Sequence, residues 1–238
     1  MLIFEPIGAT QPRAGIILFH GGALRGGSPD DLAPHCRELA ARGILAVSAD
    51  YRLLEAGADS IEDCVADVRE AVEQFVRLAS SRGLEAAQLA SGGSSAGAHL
   101  ALVAAMTGAD GTSRAGHFGI SAVVAWNPAG SDLGSLPVET QRQLELRVGL
   151  PAGRLARYSL IELVRPHIPP VLIHHGTRDE VEPIDCVRRF RDAMLRSGNE
   201  CTLTEYEHAK HGFHYPGAGG CFDSVVDSTA LFLLEKAG

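Results

Sequence analysis

Small residues crowd around two serines in residues 90–106, ASGGSSAGAHLALVAAM, where a strand-like segment passes into an apolar run with helical spacing. Within it, GSSAG has the pattern G-x-S-x-G centred on Ser95. At a turn from strand to helix this pattern exposes the serine Oγ, and the glycines are needed because a Cβ would strike neighbouring backbone. The first N–H groups of the helix stabilise negative charge beside Oγ. Ser95 is therefore a candidate nucleophile, the alternative being a tight turn without chemistry; Ser94 would point into the sheet.

A serine hydroxyl attacks a carbonyl only with help from a base and from a carboxylate that orients the base. Two downstream segments contain such groups directly after predicted strands: HHGTRDEVEP (174–183) contains Asp179, and EHAKHGFH (207–214) contains His211. Because the carboxyl ends of parallel strands meet at one edge of a sheet, we expect both side chains to lie near Ser95. The competing side chains in the same two segments are Glu180, Glu182, His208 and His214.

A glycine turn upstream of the serine could bind developing negative charge. The segment HGGA (20–23) closes the first long predicted strand, and an oxyanion hole needs free backbone N–H groups beside the nucleophile. Gly22 and Ala23 can supply two such groups, and Ala96, directly after the serine, can supply a third. We expect His20 to form hydrogen bonds within this loop rather than to react.

Strand-like and helical patterns alternate along the chain, which predicts a mostly parallel sheet with helices on both faces, a three-layer α/β/α sandwich. The predicted strands are 15–20, 44–51, 85–93, 119–126, 168–176 and 200–207. The predicted helices are 29–43, 59–83, a segment that opens at the serine turn, 138–149, 183–197 and roughly 218–236. We expect residues 1–238 to form a single domain, with residues 128–166 as a small lid insertion or no lid at all.

Composition excludes several classes of partner. The chain has 238 residues, a formal net charge of −8 and no uncharged apolar run long enough to span a membrane, so neither nucleic acid nor a membrane is expected to bind it. The N-terminal residues MLIFEPIGAT lack the pattern of a signal peptide, and the five cysteines are scattered without a C-x-x-C pair. We therefore expect a cytoplasmic protein with reduced thiols.

Three histidines in HAKHGFH have the spacing H-x-x-H-x-x-H, which raises the question of a metal site. They would converge only on a helix, and Gly212 and Pro216 oppose one. His174 and His175 are adjacent in a predicted strand and so point to opposite faces. We expect no metal and no cofactor.

Taken together, the segments HGGALRGGSPDDLAPHCRELAARG, ADYRL, GGSSAGAHLA, HGTRDEVEP and KHGF resemble the α/β-hydrolase fold. More narrowly, they resemble the hormone-sensitive-lipase-like and acetyl-esterase carboxylesterases, which have the motifs H-G-G-G and G-D-S-A-G. The resemblance runs from about residue 15 to the C-terminus. It implies Ser95 as nucleophile, Asp179 as acid and His211 as base, with an oxyanion hole at Gly22, Ala23 and Ala96. The chain departs from the family pattern in having Ala23 for a third glycine and Ser94 for the aspartate.

The resemblance implies hydrolysis of small, short-chain carboxylic esters through an acyl-enzyme, with a small-molecule ester as the partner. Two alternatives remain open from the sequence. The same triad could cleave an amide, as in an arylformamidase or a small peptidase, and the same fold could bind a ligand without chemistry. The oligomeric state also stays open, with a homodimer as one alternative.

Overall fold

A computed structural model of the chain describes residues 1–6, 8, 11–107 and 119–237. Its strands are β1 (Leu2–Phe4), β2 (Ala14–Phe19), β3 (Ile44–Ala49), β4 (Leu53–Leu54), β5 (Gly57–Ala58), β6 (Leu89–Ser94), β7 (Ala122–Trp126), β8 (Val171–Gly176) and β9 (Cys201–Tyr206). Its α-helices are α1 (Ala33–Ala41), α2 (Ile61–Ser81), α3 (Ala96–Met106), α4 (Val138–Arg147), α5 (Ile184–Arg196) and α6 (Phe222–Lys236).

Among the described residues, seven strands form the main sheet in the order β1-β3-β2-β6-β7-β8-β9. β1 is antiparallel to β3, and the other neighbours in the sheet are parallel. The strands that precede the serine turn, the candidate acid and the candidate base are β6, β8 and β9. Because these strands are parallel, their carboxyl ends lie at the same edge of the sheet.

The central strands are covered on both faces, as their nearly continuous apolar sequences predict. Every residue of β2, β3, β6, β7 and β8 is buried. One apolar core contains side chains of α2, α3 and α5, and the other contains side chains of α1 and α6, so helices lie on both sides of the sheet. The predicted three-layer α/β/α arrangement is confirmed.

Local sequence explains how the longest helix begins and which face it buries. Ser60 caps α2 by accepting a hydrogen bond from the Glu62 N–H, and Asp63 Oδ2 accepts one from the Ser60 N–H, which is a capping box. Residues three or four positions apart then form one buried stripe against the sheet. The members of this stripe are Ile61, Val65, Val68, Val72 and Phe75.

The structure differs from the predicted elements at a few ends. The strand expected over 85–93 starts at Leu89, because residues 86–88 form a 3-10 turn. The helix expected over 29–43 opens with a 3-10 turn at Pro29–Leu32 before α1. β1 was not predicted, since three residues are too few to show a period and their strand conformation depends on pairing with β3.

Residues 128–166 form an insertion between β7 and β8 that contains α4 and several 3-10 turns. The insertion is hydrogen-bonded to the rest of the molecule at the C-terminal end of α4. The Arg25 guanidinium donates to the Arg147 carbonyl at 2.7 Å, and the Ile61 N–H donates to the Val148 carbonyl at 2.9 Å. Arg25 belongs to the loop after β2, so the insertion contacts the loop that was expected to form the oxyanion hole.

Candidate active site

Ser95 lies at a sharp turn between β6 and α3. Its backbone has φ 52° and ψ −116°, a conformation that a non-glycine residue rarely adopts. The flanking glycines are required by β2, which passes beside the turn. A Cβ at Gly93 would lie 2.2 Å from the Phe19 carbonyl oxygen, and one at Gly97 would lie 2.1 Å from the same atom. The G-x-S-x-G spacing therefore reflects close contact with β2.

The structure brings the three predicted side chains together. The Ser95 Oγ donates to His211 Nε2 at 2.9 Å, and His211 Nδ1 donates to Asp179 Oδ2 at 2.7 Å. Ser95 and His211 are 116 positions apart in the chain and meet only because β6 and β9 belong to one sheet. The His211 side chain is 23% exposed, whereas the Asp179 side chain is fully buried. The His211 ring can therefore take a proton from the Ser95 hydroxyl, and the partly exposed His211 side chain lies where solvent reaches the triad.

Asp179 is held by its own loop. Its Oδ1 accepts the N–H groups of Val181 at 2.9 Å and Glu182 at 3.0 Å, which leaves Oδ2 free to face His211. Burial raises the pKa of the Asp179 carboxyl, but the hydrogen bonds from His211 and from the Glu182 N–H outweigh burial and leave the pKa below its ordinary value. The group is therefore a carboxylate at neutral pH, as an orienting acid must be.

The loop after β2 presents backbone N–H groups near the serine. A Cβ at Gly21 would lie 3.3 Å from Ser95 Cβ, so this loop passes directly beside the nucleophile. Gly22 has φ 114°, and a Cβ there would lie 2.1 Å from the Gly26 carbonyl oxygen, so only glycine fits. Within the described residues, no acceptor receives the N–H of Gly22 or Ala23, and Ala96 is the first residue of α3. These are the three N–H groups expected for an oxyanion hole.

Comparisons with known proteins identify a family and a set of similar structures. A model of the BD-FAE family matches residues 1–194, which include Ser95 and Asp179. The chain belongs to the BD-FAE family. No curated protein matches the sequence.

Among solved structures, the chain is similar to esterase 2 of the Planctomycetes species Thermogutta terrifontis. The propionate-bound form has a TM-score of 0.84 and 30% identity over 98% of this chain and 88% of that one. The butyrate-bound form has a TM-score of 0.83 and 29% identity, covering 98% and 87%. The form phosphonylated by sarin has a TM-score of 0.83 and 29% identity, covering 98% and 88%. The chain thus has the α/β-hydrolase fold and is a carboxylesterase-like hydrolase.

Within this BD-FAE chain, the competing acidic residues lie apart from the imidazole. The Glu182 carboxylate is buried and accepts the N–H groups of Gly130 at 3.0 Å and Ser131 at 2.9 Å. These two hydrogen bonds connect the start of the insertion to the loop that holds Asp179. Glu180 is exposed and forms no hydrogen bond with His211.

The competing histidines are also separated from the serine. His208 is exposed and lies beside Glu207. His214 is fully buried and donates through Nε2 to Ser94 Oγ at 2.9 Å, so the position where related carboxylesterases often have aspartate takes part in a buried hydrogen bond here. In the described part of the chain, no cluster of three histidine, cysteine or acidic side chains is placed to hold a metal ion.

Other polar and aromatic residues near the turn form hydrogen bonds with loops or lie in the core, and none of them forms a hydrogen bond with the Ser95 hydroxyl among the described residues. His20 lies 2.8 Å from the Gly21 carbonyl oxygen and 3.1 Å from Asp50 Oδ1, which places it within the loop as expected. His99 is buried one turn after the serine, and its Nε2 donates to the Tyr158 carbonyl. Trp126 is fully buried and belongs to the core.

No helix of the described residues is long and apolar enough to cross a membrane.

The sequence reading did not assign two further residues that lie at the triad. Asn127 follows β7 with φ 38°, and its amide nitrogen is 3.3 Å from His211 Nε2. The same rule that selected Asp179, a polar residue just past a strand, would have found it. His175 is the second of these residues, and its Nε2 lies 3.4 Å from Asp179 Oδ2.

Proposed function

We propose that this protein hydrolyses short-chain carboxylic esters through an acyl-enzyme on Ser95. The observation that carries the proposal is the continuous hydrogen-bonded series from the Ser95 hydroxyl through the His211 ring to the Asp179 carboxylate. A protein of this fold that only binds ligands would not need a base 2.9 Å from a serine held in a strained turn.

In the first half of the reaction, His211 Nε2 takes the proton from Ser95 as Oγ attacks the ester carbonyl carbon. The Asp179 carboxylate holds the ring in the required tautomer and stabilises the imidazolium. The carbonyl oxygen becomes an oxyanion, which the N–H groups of Gly22, Ala23 and Ala96 bind. Collapse of the tetrahedral intermediate breaks the ester C–O bond, and the imidazolium gives its proton to the departing alcohol.

In the second half, water replaces the alcohol. His211 removes a proton from the water as its oxygen attacks the acyl carbon, and a second oxyanion occupies the same N–H groups. When this intermediate collapses, the proton returns to Ser95 Oγ and the carboxylic acid leaves. No redox step or metal is needed to balance the reaction.

The short acyl length is supported by the relatives. Esterase 2 of Thermogutta terrifontis has been solved with propionate and with butyrate bound, and also phosphonylated by sarin. Its similarity to this chain extends over 98% of the sequence, including the β9 and α6 region that follows Asp179. We therefore place acyl groups of two to four carbons first among the substrates.

The test uses p-nitrophenyl esters with acyl chains of two to twelve carbons, and the p-nitroanilide of the best acyl group. Ser95→Ala should lower kcat by at least about a thousandfold, because only binding and the oxyanion hole remain. Ser91→Ala is the matched control: Ser91 is buried in the same strand and its Oγ has no partner among the described residues, so its loss should leave kcat near that of the wild type.

A fluorophosphonate probe separates chemistry from binding. The probe should attach to the wild type and to Ser91→Ala, and it should leave Ser95→Ala unmodified. Equal ester hydrolysis by the wild type and Ser95→Ala would overturn the proposal. Faster cleavage of the anilide than of the matching ester would move the substrate class from esters to amides.

A further inference from the structure

His175, the next-to-last residue of β8, has a fully buried side chain beside the triad. Its neighbour His174 is buried on the other face of the strand, where Nδ1 lies 2.9 Å from the Tyr206 hydroxyl. The mechanism above uses neither ring. The two adjacent histidines are both buried, but only His175 faces the loop that holds Asp179.

The contacts of His175 determine which of its nitrogens carries the proton. Nε2 lies 2.9 Å from the Glu182 carbonyl oxygen and 3.4 Å from Asp179 Oδ2, and both of these atoms only accept hydrogen bonds. Nε2 must therefore be protonated. Nδ1 is buried without a partner among the described residues, as expected of the unprotonated nitrogen in a neutral ring.

Asp179 Oδ2 is consequently placed between two imidazoles. His211 Nδ1–H donates to it at 2.7 Å, and His175 Nε2, whose proton goes to the Glu182 carbonyl at 2.9 Å, lies 3.4 Å away on another side. The two N–H groups of the loop already occupy Oδ1, so the carboxylate has donors around both oxygens. A carboxylate held by several donors has one orientation and keeps its charge.

We propose that His175 is a positioning residue of the triad: its neutral ring holds the Asp179 carboxylate in line with His211 and disperses part of its charge. This inference rests on the hydrolytic role proposed above. It assigns to His175, the second residue of the HHG segment at 174–176, a function that neither metal binding nor packing supplies. His175 does not touch the substrate, so its effect must pass through Asp179.

The titratable groups that face His175 are consistent with a neutral ring. They are Asp179 on the loop that follows β8, His211 on the loop after β9, and Glu205 on β9, whereas Glu182 contacts the ring through its backbone carbonyl. Burial lowers the pKa of His175, although its hydrogen bond to the Glu182 carbonyl and the Asp179 charge act in the opposite direction. A charged ring here would cancel the attraction of Asp179 for the imidazolium.

The experiment compares His175→Leu with His174→Leu, two equal substitutions at adjacent buried positions. For each variant, kcat and KM are measured across pH with a short p-nitrophenyl ester, and active enzyme is counted by fluorophosphonate titration. In His175→Leu, kcat per active site should fall about fivefold to tenfold with little change in KM, since the polar N–H group 3.4 Å from the charged Asp179 carboxylate is lost. In His174→Leu, kcat per active site should stay near the wild-type value.

The pH profile distinguishes positioning from mere packing. Without the His175 donor, the Asp179 carboxylate holds the imidazolium more strongly, so the acidic limb of kcat/KM should move up by about half a pH unit in His175→Leu. His174→Leu should keep the wild-type limb.

A second pair of variants keeps the test valid if the leucine variants fail to fold. Glutamine at position 175 places its amide nitrogen near the position of Nε2, whereas asparagine places its amide nitrogen near that of Nδ1. His175→Gln should keep the wild-type limb, and His175→Asn should shift it.

The inference is overturned if all the folded variants share one acidic limb, or if His175→Leu and His174→Leu have the same kcat per active site. That result would leave the hydrolytic proposal intact, provided that activity is still lost in Ser95→Ala. Conversely, activity that survives in Ser95→Ala would remove the proposed function itself, whatever the profiles of the histidine variants.

Discussion

A buried histidine of α1 should make the protein sensitive to mild acid. His35 is fully buried, and its ring stacks on Trp126 with centroids 4.6 Å apart. Its Nε2 donates to the His214 carbonyl at 3.0 Å, and its Nδ1 has no partner in the described part of the chain. Burial lowers the pKa of His35 from 6.5 to about 4, although the hydrogen bond to His214 opposes this shift.

The sign of the effect follows from where protons bind. As pH falls below 6.5, the imidazole of the unfolded chain takes up a proton while the buried ring does not, so the unfolded state gains stability. The contribution of His35 to folding is therefore complete above pH 6.5 and is lost as pH falls towards 4. Between pH 7 and pH 5 this loss is about 2 kcal/mol, from 1.5 pH units at 1.36 kcal/mol each.

The perturbation is His35→Gln, because glutamine keeps a donor for the His214 carbonyl and does not titrate. The free energy of unfolding is measured by urea titration at pH 7 and at pH 5, followed by far-ultraviolet circular dichroism. Comparing each protein with itself removes the cost of the substitution at pH 7. The variant should lose about 2 kcal/mol less stability between the two pH values than the wild type loses.

His208→Gln, which alters an exposed ring, is the control and should keep the pH dependence of the wild type. Equal losses of stability in the wild type and in His35→Gln would refute the reasoning. That outcome would mean that the His35 ring takes up its proton in the folded state almost as readily as in the unfolded chain.

Three further predictions follow from other contacts. Gly97→Ala should lower the free energy of unfolding by about 3 kcal/mol, because its Cβ would lie 2.1 Å from the Phe19 carbonyl oxygen; an unchanged urea midpoint would contradict this. Glu182→Gln should cost about 2 kcal/mol at pH 7, measured in the same way, because Gly130 and Ser131 donate to different carboxylate oxygens and the glutamine NH2 would replace one of these acceptors. Stability equal to that of the wild type would show that these two hydrogen bonds are dispensable. Burial protects three of the five thiols and raises their pKa: Cys36, Cys64 and Cys201. Ellman's reagent should therefore modify at most two cysteines of the folded protein, and labelling of all five before unfolding would disprove this.

Most of the secondary structure could be predicted because its causes are local. Apolar periodicity marks α2 from Ile61 onwards, and continuous apolar runs mark β2, β3 and β7. β1 escaped prediction because its residues become a strand only by pairing with β3. The start of β6 was placed too early because the 3-10 turn at 86–88 has no distinctive pattern.

The sequence predicts which residues belong to the candidate triad, but it does not predict the hydrogen bonds that surround them. Glycine spacing pointed to Ser95, and position after a strand pointed to Asp179 and His211. The same position rule applied equally to Asn127, which was overlooked. His175 could not be assigned from sequence, because which face of β8 it occupies relative to Asp179 depends on how the loop after the strand folds back.

The sequence by itself determines the order of the longer strands and helices, the glycine turn at Ser95 and the set of side chains able to form a triad. These features depend on periodicity and on the steric freedom of glycine, which act over a few residues. Only the tertiary structure decides that His211 rather than His208 or His214 meets the serine, and that His175 faces the catalytic carboxylate. These contacts join residues of different strands and loops, and hydrogen bonds discriminate over tenths of an ångström, so they exist only after the sheet has paired and its loops have packed.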